Sequence, residues 1–363
     1  MTSPATRPPA APSATVIIPF HSNLRHLELS LRAARRSMPA AEIIVAADGA
    51  REDCHGLAEE CNAQVVDIDG PTGPASARNR GAAFARGDVF MFVDADVVVA
   101  PDALPGMLRF FASHPEVAAV FGAYDETPPE PNFMSQYRNL AHSYVHQTGA
   151  RDAVTFWAGL GAVRAGAFRT VGGFDERFRR PSVEDIELGY RLTRAGYRVR
   201  LAPEFRGAHY KRWTLLGSIR IDIASRGIPW AQLLQKFQTI SNDLNTRVEL
   251  RLSVALSYVL VACLAGLILS PWAALGAVAS LAALIALNYP YYRWFARQRG
   301  LWFALRVVPA HIVHHLCNGV SFLVGTGLYV ASRLGIVLPG AIPQAVWTRT
   351  AESPVVLTSH GPR

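Results

Sequence analysis

The chain has 363 residues, 50% of them hydrophobic and only 18% charged, with 36 Lys and Arg against 28 Asp and Glu for a net charge of +8. That balance excludes a disordered chain, which needs low hydrophobicity and high net charge, and departs from an ordinary soluble globule, in which about 25% of residues are charged. Four scattered cysteines, Cys54, Cys61, Cys263 and Cys317, have the spacing of neither a disulfide scaffold nor a zinc module. The dispersed Lys and Arg form no recognition module, so the basic balance points to an anionic membrane surface rather than to nucleic acid.

Residues 1–13 are rich in Pro, Ala and Ser and lack the apolar core of a signal peptide. They are expected to be a disordered lead to a domain kept in the cytoplasm. An α/β domain is expected over 14–212. Its predicted elements are a strand over Ala14–Ile18 ended by Pro19, a helix over Leu24–Arg36, strands over Glu42–Ala47 and Val65–Ile68, and a small-residue helix over Pro74–Ala85. A wholly apolar strand, Val89–Val93, then ends at Asp94. A helix over Leu104–Ala112, a strand over Val117–Phe121 and a helix over Val183–Arg194 complete the pattern. Alternating apolar strands and helices predict a mostly parallel sheet covered on both faces. Ligands of such sheets sit beyond the carboxyl ends of the strands.

Interfacial helices are expected over Thr214–Ser225 and Trp230–Ile240 within a linker, 213–250, with helices packed back on the domain as the rival arrangement. No charged residue lies between Arg251 and Arg293, a run of roughly 40 residues that can hold two spans of about 20. Ser270-Pro271-Trp272 breaks it near the middle. A hairpin of Leu252–Leu269 and Ala273–Tyr289 is predicted, with both Arg-bearing flanks on the cytoplasmic side of the inner membrane. The apolar stretch Val307–Val337 completes a membrane domain of two to three helices over 251–338. It is expected as a single span, or as an interfacial helix to His315 followed by a short span. His311, His314 and His315 share one helical face there. An irregular tail follows over 339–363.

The polar residues with chemical potential stand at strand ends and helix starts. Asp94 and Asp96, two apart where a strand unwinds, suit a hard divalent ion that also holds phosphate oxygens. Ser182, Glu184 and Asp185 open a helix, where Ser182 and Asp185 also read as a capping box. His209 precedes the basic stretch Lys211-Arg212.

Taken in order, Val16-Ile17-Ile18-Pro19, Asp48-Gly49, Ala77-Arg78-Asn79-Arg80-Gly81, Asp94-Ala95-Asp96, Gly172-Gly173-Phe174-Asp175, Glu184-Asp185 and His209 resemble the family-2 nucleotide-sugar glycosyltransferases of the GT-A fold, over about residues 14 to 230. The resemblance implies a nucleotide-sugar site formed by Pro19, His21, Asp48, Arg78, Asn79, Asp94, Ala95, Gly159, Lys211 and Arg212, with Ala47 where the family has a second acid. It implies Asp96 and His209 as ligands of Mg2+ or Mn2+, and Asp185, with Glu184 beside it, as catalytic base. Trp157, Arg226 and Trp230 would meet the acceptor. Arg226-Gly227-Ile228-Pro229-Trp230 is similar to the Gln/Arg-x-x-Arg-Trp motif of processive synthases, but Pro229 replaces the arginine. The expected activity is therefore that of an inverting hexosyltransferase of the cell envelope, bound to the membrane, adding one sugar per visit to a lipid-linked or lipid-phosphate acceptor. The alternatives are a processive synthase subunit, an inactive scaffold of the same fold, and a sugar-phosphate nucleotidyltransferase.

Overall fold

The structure, a computed structural model, describes residues 12–238 and 247–342. Most of the expected lead, the end of the helix Trp230–Ile240 and most of the expected tail lie outside the described residues. Among them one mixed sheet runs in the order β3-β2-β1-β4-β8-β6-β9-β5, with β7 paired to β9. The strands are β1 (Ala14–Phe20), β2 (Glu42–Asp48), β3 (Gln64–Ile68), β4 (Val89–Val93), β5 (Val97–Val99), β6 (Val117–Tyr124), β7 (Asp152–Ala153), β8 (Leu160–Arg164) and β9 (Arg198–His209). The pairings make β1, β2, β3, β4, β6 and β9 point one way and β5, β7 and β8 the other. The expected parallel sheet is present, with short antiparallel strands added.

Period-two alternation divides each central strand between two cores. Val16, Ile18 and Phe20 of β1 and Val89, Met91 and Val93 of β4 pack under helices α1 (Leu24–Ser37) and α4 (Ala103–Ser113). Ile17, Phe90 and Phe92 pack on the other face. There they meet α3 (Pro74–Phe84), α6 (Ala165–Thr170) and α7 (Glu184–Arg194). Helix α3 lies so close to the sheet that a Cβ on Gly81 would come within 2.5 Å of Ile17. A short helix, α2 (His55–Glu60), links β2 to β3. β1 continues through Pro19, contrary to the expectation. Its pairing with β4 stops at Ile17, so the absent N–H of Pro19 costs no ladder bond on that side.

A long helix, α5 (Phe133–Thr148), covers the end of the sheet. After β9 come α8 (Leu215–Arg220), a π-helical turn (Ile221–Gly227) and α9 (Ile228–Phe237). They form one continuous rod, not the two free interfacial helices predicted. Leu233 and Phe237 of α9 pack with Val183 and Tyr190 of the sheet domain, so the rival packing is the one observed here. Then follow α10 (Val248–Gly266), α11 (Ala273–Leu287), α12 (Tyr289–Arg299) and α13 (Leu301–Arg333). By length and composition α10 and α13 can each cross a membrane; α11 and α12 can count as one further span, bent by 68°. Helix α13 runs unbroken through His315.

The two regions are joined at a buried ion cluster. Arg138 of α5 grips Asp222 of the π-helical turn with two bonds of 2.6 Å, and His314 of α13 reaches the same carboxylate at 2.9 Å. His314 is thereby taken from the shared histidine face. His311 stacks on Tyr291, and His315 is buried. Arg306 lies over the Phe133 ring.

Candidate active site

The carboxyl ends of the parallel strands converge on a cavity of about 2050 Å³ that continues down between α5 and helices α10 to α13. Ligand pockets commonly have about 300–1,000 Å³, so there is room for more than one small substrate. Pro19 lies near the end of β1 and His21 follows it, Asp48 ends β2, Asp94 and Asp96 follow β4, and His209 ends β9; all line the cavity.

At its centre is a charge relay. Arg78 of α3, buried, donates to Asp94 at 2.7 Å and to Glu184 at 2.9 Å. Burial works against its charge, but Asp94, Glu184 and Asp185 outweigh it and raise its pKa. Asp185 sits beside this pair at the start of α7. Its carboxylate accepts from the Ala158 N–H at 3.2 Å and from its own helix at Ile186 N–H, 2.8 Å. Burial, and then the charge of Glu184, push Asp185 up to about 7. The capping box does not form. Val183 is the cap position, with no side-chain cap bond, while the Ser182 hydroxyl donates to the Ser225 carbonyl at 2.6 Å. Pro229, four residues after Ser225, has no N–H to offer that carbonyl.

Across the cavity, His209 Nε2 lies 3.4 Å from Asp96 Oδ2. Asn139 donates to the His209 carbonyl, which turns its own oxygen to His209 Nδ1 at 2.7 Å. Asn139 thus fixes the imidazole so that Nε2 faces the carboxylate, and oxygen with imidazole suits Mn2+ or Mg2+. Burial opposes ionisation of Asp96, yet His209, Lys211 and His26 hold it well below the usual carboxylate range. Among the described residues no group of three or more His, Cys, Asp or Glu gathers for a metal. Further ligands would have to be phosphate oxygens or water.

Ala95, Lys211, Arg212, Trp157, Arg226 and Trp230 also line the cavity. Trp230 donates to the Tyr190 hydroxyl at 3.1 Å. Three expected donor contacts have other partners. Asn79 is buried away from the cavity, bonded to Phe174 and Glu176, where it pins the Gly172–Asp175 turn. Gly159 is covered by the Trp157 ring, 2.6 Å from where its Cβ would be. The Asp48 carboxylate accepts from Thr72 N–H and Oγ1 and from Gly73 N–H, each at 2.7 Å, so it mainly holds the 70–73 loop at the cavity rim. Two lining residues escaped the sequence reading. Tyr124 ends β6, stacked on His209 at 4.4 Å and 6°, and burial and the nearby acids raise its pKa well above the ordinary value. His142 of α5 packs against Tyr124 and Trp157.

Known proteins align with this site. Residues 15–175 match the profile of Glycosyl transferase family 2. The pre-mycofactocin glycosyltransferase of Mycobacterium tuberculosis is 34% identical over 226 residues, 58% of this chain and 46% of that protein. The succinoglycan biosynthesis protein ExoA of Rhizobium meliloti is 30% identical over 220 residues, 56% of this chain and 65% of that protein. The chain thus spans about half of the first relative and under two thirds of the second. Among solved structures, the mannosyltransferase PcManGT from Pyrobaculum calidifontis, in complex with GDP-Man and Mn2+, superposes with a TM-score of 0.53 at 17% identity, covering 90% of this chain and 89% of that one; this likeness is one of fold. The chain therefore carries a glycosyl transferase family 2 domain on the GT-A fold.

Proposed function

We propose that the protein transfers one sugar from a nucleotide-diphosphate sugar to a lipid-linked or lipid-phosphate acceptor, with inversion at the anomeric carbon, on the cytoplasmic face of the inner membrane. The observation that carries this reading is the place of Asp185, partly buried beside Glu184 and bonded to the Ala158 N–H, in a cavity whose lining continues from Asp94 and Asp96 to Tyr258, Leu287 and Phe322 of the apolar helices; burial and the Glu184 charge push its carboxyl up to about 7. An ordinary carboxylate near 4 is a weak base; one near 7 is matched to taking a proton at neutral pH.

In the reaction the acceptor oxygen attacks the anomeric carbon while Asp185 takes its proton. The bond from that carbon to the phosphate oxygen breaks, and the nucleoside diphosphate leaves with the electron pair. Arg78 does not serve the leaving group directly, since Asp94 and Glu184 occupy it; it holds both acids and so sets the base. Lys211 and Arg212, at the cavity wall, meet the diphosphate charge. Asp96 and His209 would hold the divalent ion, whose chemistry is to neutralise charge developing on the diphosphate. Arg226, which the described residues leave without an ion pair, faces the acceptor side.

The test is a panel of UDP-, GDP- and dTDP-sugars labelled in the sugar and incubated with membranes holding the protein. Label should enter the lipid fraction from one donor, and EDTA should abolish it. Label in a long polymer would favour the processive alternative. No turnover of any donor would sink the enzymatic reading.

A further inference from the structure

We infer that Tyr124, His142 and Trp157 form the wall against which the ring of the transferred sugar lies. The inference rests on the reading above and assigns to it the residues that would recognise the donor's sugar.

The rings form one continuous surface. Trp157 meets Tyr124 edge-on at 4.7 Å and 85°, and His142 lies 4.4 Å from Tyr124 and 4.7 Å from Trp157. His146 backs His142 at 4.0 Å. Each outer ring is tied down. His146 Nδ1 bonds the Gly122 carbonyl at 2.8 Å, and His209 is bonded to Asn139. The absence of a side chain at Gly159 lets the Trp157 indole fold back over the chain. The wall is rigid before any ligand arrives.

The inner polar groups are not tied down. His142 Nδ1 is buried with no hydrogen-bond partner. Tyr124, only 7% exposed, lines the cavity, and its hydroxyl has no hydrogen bond to the described residues. Buried polar groups are almost always paired, and both residues line the cavity, where a ligand can supply the missing partners. A sugar ring offers apolar C–H faces together with hydroxyls. Aromatic rings with unused polar tips match both.

Position selects which sugar. On one side Tyr124 stacks on His209, which lies 3.4 Å from Asp96, and on the other it meets Trp157. Tyr124 therefore lies between the diphosphate side and the base side. Trp157 immediately precedes Ala158, whose N–H holds Asp185. The ring whose carbon is attacked must lie between the leaving diphosphate and the base, which is where this wall stands.

The test uses the full chain in detergent with Mn2+, titrated with GDP-mannose against GDP and UDP-glucose against UDP. Tyr124→Phe keeps the ring and its stack on His209; His142→Phe keeps the packing. Each should weaken binding of the nucleotide sugar about 3- to 10-fold, the scale of one lost hydrogen bond, and leave the free diphosphate unchanged. Equal losses for sugar and diphosphate, or no loss for either, would overturn the inference while leaving the enzymatic reading intact. Unchanged donor binding with a raised KM for acceptor would overturn it in favour of an acceptor-side wall. If the unaltered protein binds neither donor any better than its diphosphate, there is no sugar contact for the wall to supply and the inference fails.

Discussion

The two regions of the chain differ most in what they leave exposed. In the catalytic domain the strands are apolar and sealed: Val16, Ile18, Phe92 and Val120 are each 0% exposed. In the helical region many large apolar side chains face out, including Ile268, Trp272, Leu275 and Val278, while Ser253, Ser257, Asn288, His311 and His315 lie inside beside Leu284, Phe295 and Val307. Asn288 bonds Ser253 there at 2.8 Å, and Tyr292 meets His311 at 3.2 Å. One chain follows two solvent rules. Water drives apolar groups inward in the first region. The second has helices long and apolar enough to cross a membrane, where lipid would remove that drive and leave packing and hydrogen bonds between helices to hold them. The difference teaches where the cavity's character comes from: its upper walls are acids and bases on a rigid sheet, and its floor combines the polar inner faces of the helices with apolar side chains.

The sharpest break in the comparison is chemical. If reaction belongs to the sheet end alone, Asp185→Asn should lower kcat by about 10²–10⁴ with donor binding nearly unchanged. The unaltered enzyme should gain rate as pH rises through about 7, because the deprotonated form of Asp185 is the base and its folded pKa is raised to that value. A flat profile across pH 6 to 8, with full activity in the Asn variant, would remove Asp185 from the mechanism.

That site was only partly legible in the sequence. Strand ends marked Asp48, Asp94 and Asp96 because an apolar run ending in an acid is a local signal. The same rule would have found Tyr124, but β6 was expected to end at Phe121. Gly122, Ala123 and Tyr124 extend it by pairing with Arg206 and Gly207 across a bulge in β9, and such a register cannot be read from either segment alone. Asn79 shows the converse. Its motif neighbours Arg78, yet successive helical residues face different ways: Arg78 reaches the acids while Asn79 turns to the Phe174 turn. The 68° bend between α11 and α12 was not anticipated, although Pro290 beside it is a local signal; the clamp from α5 and α13 onto Asp222 has no local signal at all, because its residues stand 84 and 92 positions away.

The next effect in size lies at that clamp, where the two regions meet. Arg138→Leu leaves Asp222 buried, with His314 as its remaining partner. Breaking a buried pair by removing one partner costs about 3–5 kcal/mol, and the retained histidine should keep the loss near 3. A drop in thermal midpoint in detergent would report it, and Arg138→Leu combined with Asp222→Leu should recover part of the loss. If Arg138→Leu leaves the midpoint unmoved, the clamp is not what joins the regions.

The smallest effect is the most direct test of that contrast in exposure. Leu275 of α11 is 65% exposed, and Phe92 of β4 is wholly buried. Both are large apolar residues within predicted apolar runs. Phe92→Ala removes a packed ring between Phe168 and Phe174 and should cost about 3–5 kcal/mol. Leu275→Ser removes few protein contacts, so in detergent it should change stability by no more than about 0.5 kcal/mol, as expected of an exposed position. Its cost should appear instead in partition: a serine in place of leucine on a lipid-facing surface weakens insertion, which fractionation of membranes would show as a larger soluble share. A large loss of stability for Leu275→Ser would mean that this face of α11 packs against protein, as it would between copies of the chain, and the two regions would then share a single rule.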